Sequence, residues 1–222
     1  ILDEKEDKLY RKALNNTLTH FDGLVKGYNL FKEYQQERNY FANLNHSHSN
    51  INIKDIKEDL FLKEIDIIIL SLLGELSDIT NSYKTTFEVK KEDFLSKECT
   101  IFCKIIINES EILDNILYAH NTHNIYSLMN RSFKIMKSSN FNSYKFSSRP
   151  GDLNSKDDFY IIDNLMVIAE TSLEILDKNL YKYIKINSIP KWIRVNIANK
   201  IAKNPREWID VFFKYNSGTH NN

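Results

Sequence analysis

The sequence predicts an α+β fold in which helices, strands and helices follow one another in blocks. Early in the chain, apolar residues recur at steps of three or four. From Cys99 the composition turns β-branched and aromatic. Near the end, Pro190 and Pro205 each stand just before an amphipathic stretch. Segregated blocks of this kind point to layered helices on antiparallel sheets rather than to alternating βαβ units.

The elements follow in order. Over residues 3–41, Leu14, Leu18, Phe21, Val25, Tyr28 and Phe31 share one helical face, which predicts one long amphipathic helix or two. The polar stretch 43–54 has neither helical nor strand period and reads as a loop. Its His46 and His48 lack the further ligands that a metal needs, so no metal and no cofactor is expected. Residues 57–79 read as helical. Their apolar run 65–73 is interrupted by Asp66 and Ser71 and ends at Gly74, short of the roughly 18 residues of a membrane span, and is expected to be a buried helix. A charged link, 84–97, precedes Cys99.

Residues 99–107 then predict a buried strand, and 116–120 a second. A helix is expected near 125–136, and 159–163 with 165–171 should form a hairpin. Arg149-Pro150-Gly151 reads as a turn, with Asp157 or Asp158 bonding backbone amides. Pro190 opens a helix with Trp192, Val195, Ala198, Ile201 and Ala202 inward. Pro205 opens another with Trp208, Val211, Phe212 and Tyr215 on one side. The stripe of Trp192, Trp208, Phe212 and Phe213 is expected in the core. The polar run Asn216, Ser217, Gly218, Thr219, Asn221 and Asn222 closes the last helix, with Gly218 free to take a positive φ.

The 222 residues suffice for a sizeable apolar core. Thirty basic residues balance thirty acidic ones, so no net field draws the chain to nucleic acid or acidic membranes. Cys99 and Cys103 are four apart, about 13 Å on a strand at roughly 3.3 Å per residue, too far for a disulfide. Four Asn-x-Ser/Thr sequons, at Asn15, Asn45, Asn108 and Asn130, suit a secreted glycoprotein. The first residue, Ile1, is not an initiator Met and begins no signal peptide, so the chain reads as cut from a longer one.

Several segments, in order, carry a resemblance. They are the apolar helix ending in Gly74-Glu75-Leu76, the stretch Cys99-Thr100-Ile101-Phe102-Cys103-Lys104, Ala119-His120-Asn121-Thr122, Arg149-Pro150-Gly151-Asp152, Asp157-Asp158-Phe159-Tyr160-Ile161, Glu170-Thr171, and the run from Tyr215 to Asn222. Collinear from about Leu9 to Asn222, they resemble the phospholipase B-like proteins of the N-terminal-nucleophile hydrolase class. The resemblance implies a partial αββα four-layer sandwich preceded by a mainly helical segment. Residues 1–98 would be a helical pro-segment packed on the core, and 99–222 the first part of that core, with the family's C-terminal part absent.

It also implies autoproteolysis between Glu98 and Cys99. The freed α-amine, with an unperturbed pKa of about 7.7 to 8, would serve as base for the thiol of the same residue. His120 and Thr171 are assigned to the catalytic pocket, and Asn121, His123, Asn216 and Asn221 to the pocket wall or the seam with the rest of the precursor. His123 stands where the family has Trp, His220 where it usually has Tyr, and Glu98 where it tends to a small residue; the family's oxyanion-hole Asn and partner Arg lie beyond Asn222. The implied function is hydrolysis of an acyl amide or ester bond. The alternative is a catalytically silent lysosomal or secreted scaffold or lipid-binding protein that keeps the fold. Expected partners are an acyl-lipid or amide substrate, the remaining portion of the same precursor and a second copy in a homodimer, with no nucleic acid, in a lysosome-like compartment or outside the cell.

Overall fold

The long periodic stretch at the start is one helix, α1 (Glu4–Asn45), in a computed structural model that describes residues 4–45, 61–84, 98–123, 129–163, 165–171, 175–185 and 187–219. Its buried line is Tyr10, Ala13, Thr17 and Val25, flanked by half-buried Leu14 and Phe21. Leu18 and Phe31, expected on that face, are exposed. Small Ala13 and Thr17 let the partner helix approach, so that line turns inward instead. His46 and His48 lie outside the described residues, as do the charged link 85–97 and the end of the polar run.

The apolar run 65–73 becomes α2 (Glu64–Leu72), separated by a turn from α3 (Leu76–Lys84). It is not a buried helix: Ile67 and Ser71 are buried while Ile65, Ile69, Leu70 and Leu73 are exposed. A short helix cannot bury all its sides against one neighbour. No helix among the described residues is long and apolar enough to cross a membrane.

Strands β1 (Glu98–Ile107) and β2 (Leu113–His123) form an antiparallel hairpin. Although β1 is apolar enough to read as interior, Phe102, Ile105 and Ile107 are exposed, because a two-stranded ribbon leaves most of its surface open. Four strands, β3 (Ser132–Met136), β4 (Tyr144–Ser148), β5 (Phe159–Ile162) and β6 (Met166–Ala169), make an antiparallel meander in that order. Strand β3 replaces the second half of the helix expected near 125–136. Met129, Phe133 and Met136 mimic helical spacing, but the alternating burial of 132–136 follows period two. Strand β4 was not expected. Arg149-Pro150-Gly151-Asp152 is the turn expected, with Gly151 at φ +81° and the Asp152 amide donating to Arg149 O at 3.2 Å.

The meander has two distinct faces. Rows Met136-Tyr144-Ile162-Met166 and Phe146-Tyr160-Ile168 point one way and form the core with Val195, Ala202, Trp208 and Phe212. Each fully buried aromatic of that set contributes roughly 1.5–3 kcal/mol. The helices covering it are α4 (Lys191–Ile201) and α5 (Pro205–Phe213). A second cluster joins Tyr10 and Ala13 of α1 to Trp192, Ile193 and Ile197 of α4. The other face of the meander, with Phe159 and Ser147, turns toward the β1–β2 hairpin, where Phe159 meets Tyr118 at 5.8 Å between ring centres. Helices, meander and hairpin are thus stacked as successive layers of an α+β fold.

The ends of α4 and α5 are capped differently. Asn204 accepts from the Glu207 amide at 2.9 Å and Pro205 occupies the first turn, a local cap. Pro190 precedes α4 but caps nothing with its side chain; Glu75 accepts from the Lys191 amide at 2.8 Å and, at its other oxygen, from Thr219 Oγ1 at 2.6 Å. Past α5, Tyr215 adopts φ +57° and so does not extend the helix as expected, and Phe213 is exposed rather than in the core. Gly218 has the expected positive φ, +78°, with its amide on Asn216 Oδ1.

Helix α4 is buried on every side from Lys191 to Lys200. Lys200 donates to Thr17 Oγ1 of α1 at 2.6 Å, and burial pushes its pKa down to about 8. A folded-state pKa below the unfolded value means that the charged amine destabilises the fold at pH 8 and below, and that stability is regained as pH rises toward about 10.4. Thr17 keeps its bond to Ala13 O in any case. Lys200→Met is therefore expected to raise the melting temperature at pH 7, with the difference shrinking as both proteins are melted at rising pH up to 10.5.

Candidate active site

Antiparallel pairing sets the geometry around the first cysteine. Cys99 is paired with Thr122, Ile101 with His120 and Cys103 with Tyr118, so these six side chains share one face of the hairpin. Thr100 and Asn121 pair on the opposite face. Cys99 is half-buried, Cys103 is exposed, and neither is in a disulfide. The shared face meets the ends of β5 and β6. His120 Nε2 lies 2.9 Å from Glu170 O, its ring 6.4 Å from that of Phe159, and Thr171 Oγ1 donates to Cys99 O at 3.4 Å.

A carbonyl oxygen only accepts, so Nε2 of His120 carries the proton. In the neutral ring, Nδ1 is then a base, 3.5 Å from Thr122 Oγ1.

Beside this face runs a cleft of about 380 Å3, lined by residues 118–122 of β2 and by Arg131, Ser147, Asp157 and Phe159. Asp157 is 7% exposed and anchors the far wall. Arg131 Nε reaches its two oxygens at 3.1 and 2.8 Å, Nη2 adds a contact at 2.8 Å, and the Ser147 hydroxyl donates to the same carboxylate. The Asp157 carbonyl accepts from Thr122 at 3.5 Å, tying the wall to β2. Burial, with help from the Cys103 thiol, pushes the Tyr118 hydroxyl above the usual phenol range, which keeps it a neutral donor. The cleft is therefore aromatic at Tyr118 and Phe159 and polar at His120, Thr122 and Arg131.

The structure brings Cys99, His120 and Thr171 together, with Asn121 on the cleft wall. Asn216 lies elsewhere, its carbonyl on Ser188 Oγ and its side chain on the Gly218 amide. The side chains of Glu98 and His123 and the whole of Asn221 lie outside the described residues.

The Asp157 carboxylate binds Arg131 and that of Asp158 binds Lys191, and Ser155 Oγ accepts from Asp157 N and Phe159 N at 3.2 Å each. Arg131, Ser147, Asp157, Tyr118 and Phe159 were not foreseen as site residues. The one signal was the acidic pair before β5, whose counter-charges come from distant segments because the adjacent Lys156 sends its ammonium to Leu70 O and toward Asp152. Among the described residues, no group of three or more His, Cys, Asp or Glu side chains is arranged to hold a metal.

The chain matches the phospholipase B family over residues 1–222. It is 33% identical over 159 residues to phospholipase B-like 1 of Homo sapiens, covering 69% of this chain and 29% of that protein. To phospholipase B-like protein B of Dictyostelium discoideum it is 31% identical over 231 residues, covering 98% of this chain and 36% of the relative. Phospholipase B-like protein C of the same organism is 34% identical over 178 residues, covering 74% of this chain and 31% of its own length. The chain thus spans about a third of the length of these relatives.

Asp157 holds the partly buried Arg131 guanidinium through three charge-assisted contacts. Asp157→Asn is expected to lower stability by about 2 kcal/mol, read from urea unfolding midpoints, with Ser147→Ala lowering it by about 1 kcal/mol.

Proposed function

This chain belongs to the phospholipase B family, and from that premise we propose that it is a hydrolase cleaving an acyl amide or ester bond with Cys99 as nucleophile. The observation that carries the reading is the shared hairpin face of Cys99, Thr122 and His120, met by Thr171 Oγ1 at 3.4 Å from Cys99 O and bordered by the cleft. A thiol, an imidazole with a basic nitrogen and an open cleft are the parts an acyl-transfer site needs.

Autoproteolysis of the Glu98–Cys99 bond comes first. The Cys99 thiol attacks the Glu98 carbonyl, the C–N bond breaks as the acyl group passes to sulfur and the Cys99 amine takes up the proton, and water hydrolyses the thioester to the Glu98 main-chain carboxylate and the Cys99 thiol. That amine then accepts the thiol proton as sulfur attacks the substrate carbonyl. The leaving alcohol or amine takes the proton back, an acyl thioester remains, and a water deprotonated by the same amine hydrolyses it to the free acid. His120 holds a proton acceptor on the same face, and Thr171 seats the start of β1.

In this reading residues 1–98 are the pro-segment and 99–222 begin an N-terminal-nucleophile core, whose αββα layering the stack of helices, meander and hairpin resembles. The substrate is an acyl lipid, in keeping with the family, or a related amide. The remaining portion of a longer polypeptide supplies the oxyanion donors, a second copy completes a homodimer, and a lysosomal or secreted location suits the sequons. Asn15, Asn108 and Asn130 are exposed.

Intact-mass analysis of the purified longer polypeptide, which includes the portion supplying the oxyanion donors, tests the proposal. A fragment beginning at Cys99, absent from Cys99→Ala together with hydrolysis of a 4-nitrophenyl acyl ester, is the expected result. An uncut chain whose thiol ignores acyl probes would make the protein a silent scaffold.

A further inference from the structure

We propose that Lys191 is a positioning residue for the Cys99 site, clasping Asp158 and Glu170 so as to hold the His120 tautomer and the seat of Thr171. The inference rests on the hydrolase reading above for its catalytic consequence, but its structural part stands separately. Lys191 Nζ lies 3.0 Å from Asp158 Oδ1 and 3.2 Å from Glu170 Oε1. Asp158 immediately precedes β5 and Glu170 immediately follows β6, and the Glu170 amide donates to Asp158 O at 3.2 Å. Two carboxylates, each side chain 13% exposed, therefore stand at one end of the β5–β6 hairpin, with an 11% exposed ammonium between them.

Local rules argue against a lysine here. Lys191 is the first residue of α4, where the helix presents its positive end and a cation is unfavourable. Its placement is explained by the pair of carboxylates it joins. The clasp also acts on backbone. Asp158 is held at φ +51°, a left-handed conformation costing a non-glycine residue about 1 kcal/mol, so the turn it shares with Asp157 needs an outside tether.

From the clasp two short links lead to the nucleophile. Glu170 gives its carboxylate to Lys191 and its carbonyl to His120 Nε2; the next residue, Thr171, gives its hydroxyl to Cys99 O. If the clasp opens, the two carboxylates repel, Glu170 O shifts, and the constraint that keeps the proton on Nε2 and the lone pair on Nδ1 is lost. Lys191 touches no reacting atom, so its effect falls on geometry rather than on substrate affinity.

The test uses the longer polypeptide, with the portion that supplies the oxyanion donors, as wild type, Lys191→Met, Lys191→Arg and Glu170→Gln. Ring-nitrogen NMR, assigned with His120→Asn, reads the tautomer. The wild type and Lys191→Arg are expected to show the Nε2–H form, and Lys191→Met a mixture of both tautomers. With 4-nitrophenyl butyrate as probe, Lys191→Met should lose roughly tenfold or more in kcat with KM within about twofold, and Lys191→Arg should restore most of it. Should Lys191→Met not fold, Glu170→Gln, which keeps the carbonyl, is expected to show the same tautomer mixing. An unchanged His120 spectrum in a folded Lys191→Met or Glu170→Gln overturns the clasp. A wild type that never hydrolyses the ester while its spectrum still responds to Lys191 overturns the hydrolase reading and leaves the clasp standing.

Discussion

A helix whose every side is buried relies on internal partners for the polar groups it carries, and that constraint on α4, left unmet only at Asn199 Nδ2 among its described buried side chains, shapes the surrounding structure. Arg194, 1% exposed, donates to Ile189 O and Phe212 O and lies 4.5 Å from the Phe212 ring. Asn196 accepts from Tyr144 OH at 2.6 Å and donates to Leu153 O and Trp192 O. Asn199 accepts from Trp208 Nε1 at 2.8 Å, and Lys200 reaches α1. Between them these bonds fix four neighbours: α5, the meander, the loop after β4, and α1. Left unmade, any one would cost about 1–3 kcal/mol, more for the charged groups, so the layers hold one arrangement.

The site inherits its order from this hub. Its first residue, Lys191, ties the base of the β5–β6 hairpin to α4, while Glu75 holds the same turn to α3 and to Thr219. The hairpin bearing Cys99 is itself exposed over much of its length and touches the meander mainly through Tyr118, His120 and Thr122. Cys99 is thus positioned by a few polar and aromatic contacts from a rigid base rather than by burial in a core. That arrangement leaves the Cys99 thiol only partly covered while its neighbours remain fixed.

Much of the fold was legible from pattern alone. The helix at the start, β1, β2, the β5–β6 hairpin and the two proline-led helices follow from period and from Gly and Pro placement. Cys99, His120 and Thr171, singled out through short motifs in a shared order, lie together where the β1–β2 hairpin meets the ends of β5 and β6. Strands β3 and β4 were not legible, since five-residue strands with mixed polarity give too little alternation, and Met129, Phe133 and Met136 happen to fit a helical spacing. The cleft wall of Arg131, Ser147 and Asp157 was not legible either, because its members come from three separate segments.

Helix α4 marks the boundary most clearly. By itself the sequence determined that 191–201 is helical and that Trp192, Val195 and Ala198 face inward, because helix propensity and apolar spacing are local properties. Only the tertiary structure decided that Lys191, Arg194, Asn196, Asn199 and Lys200 are buried as well. Their burial depends on acceptors from residues far away in the chain, such as Thr17, Asp158, Glu170 and Phe212, and no one-dimensional period encodes which distant oxygen will meet a buried cation.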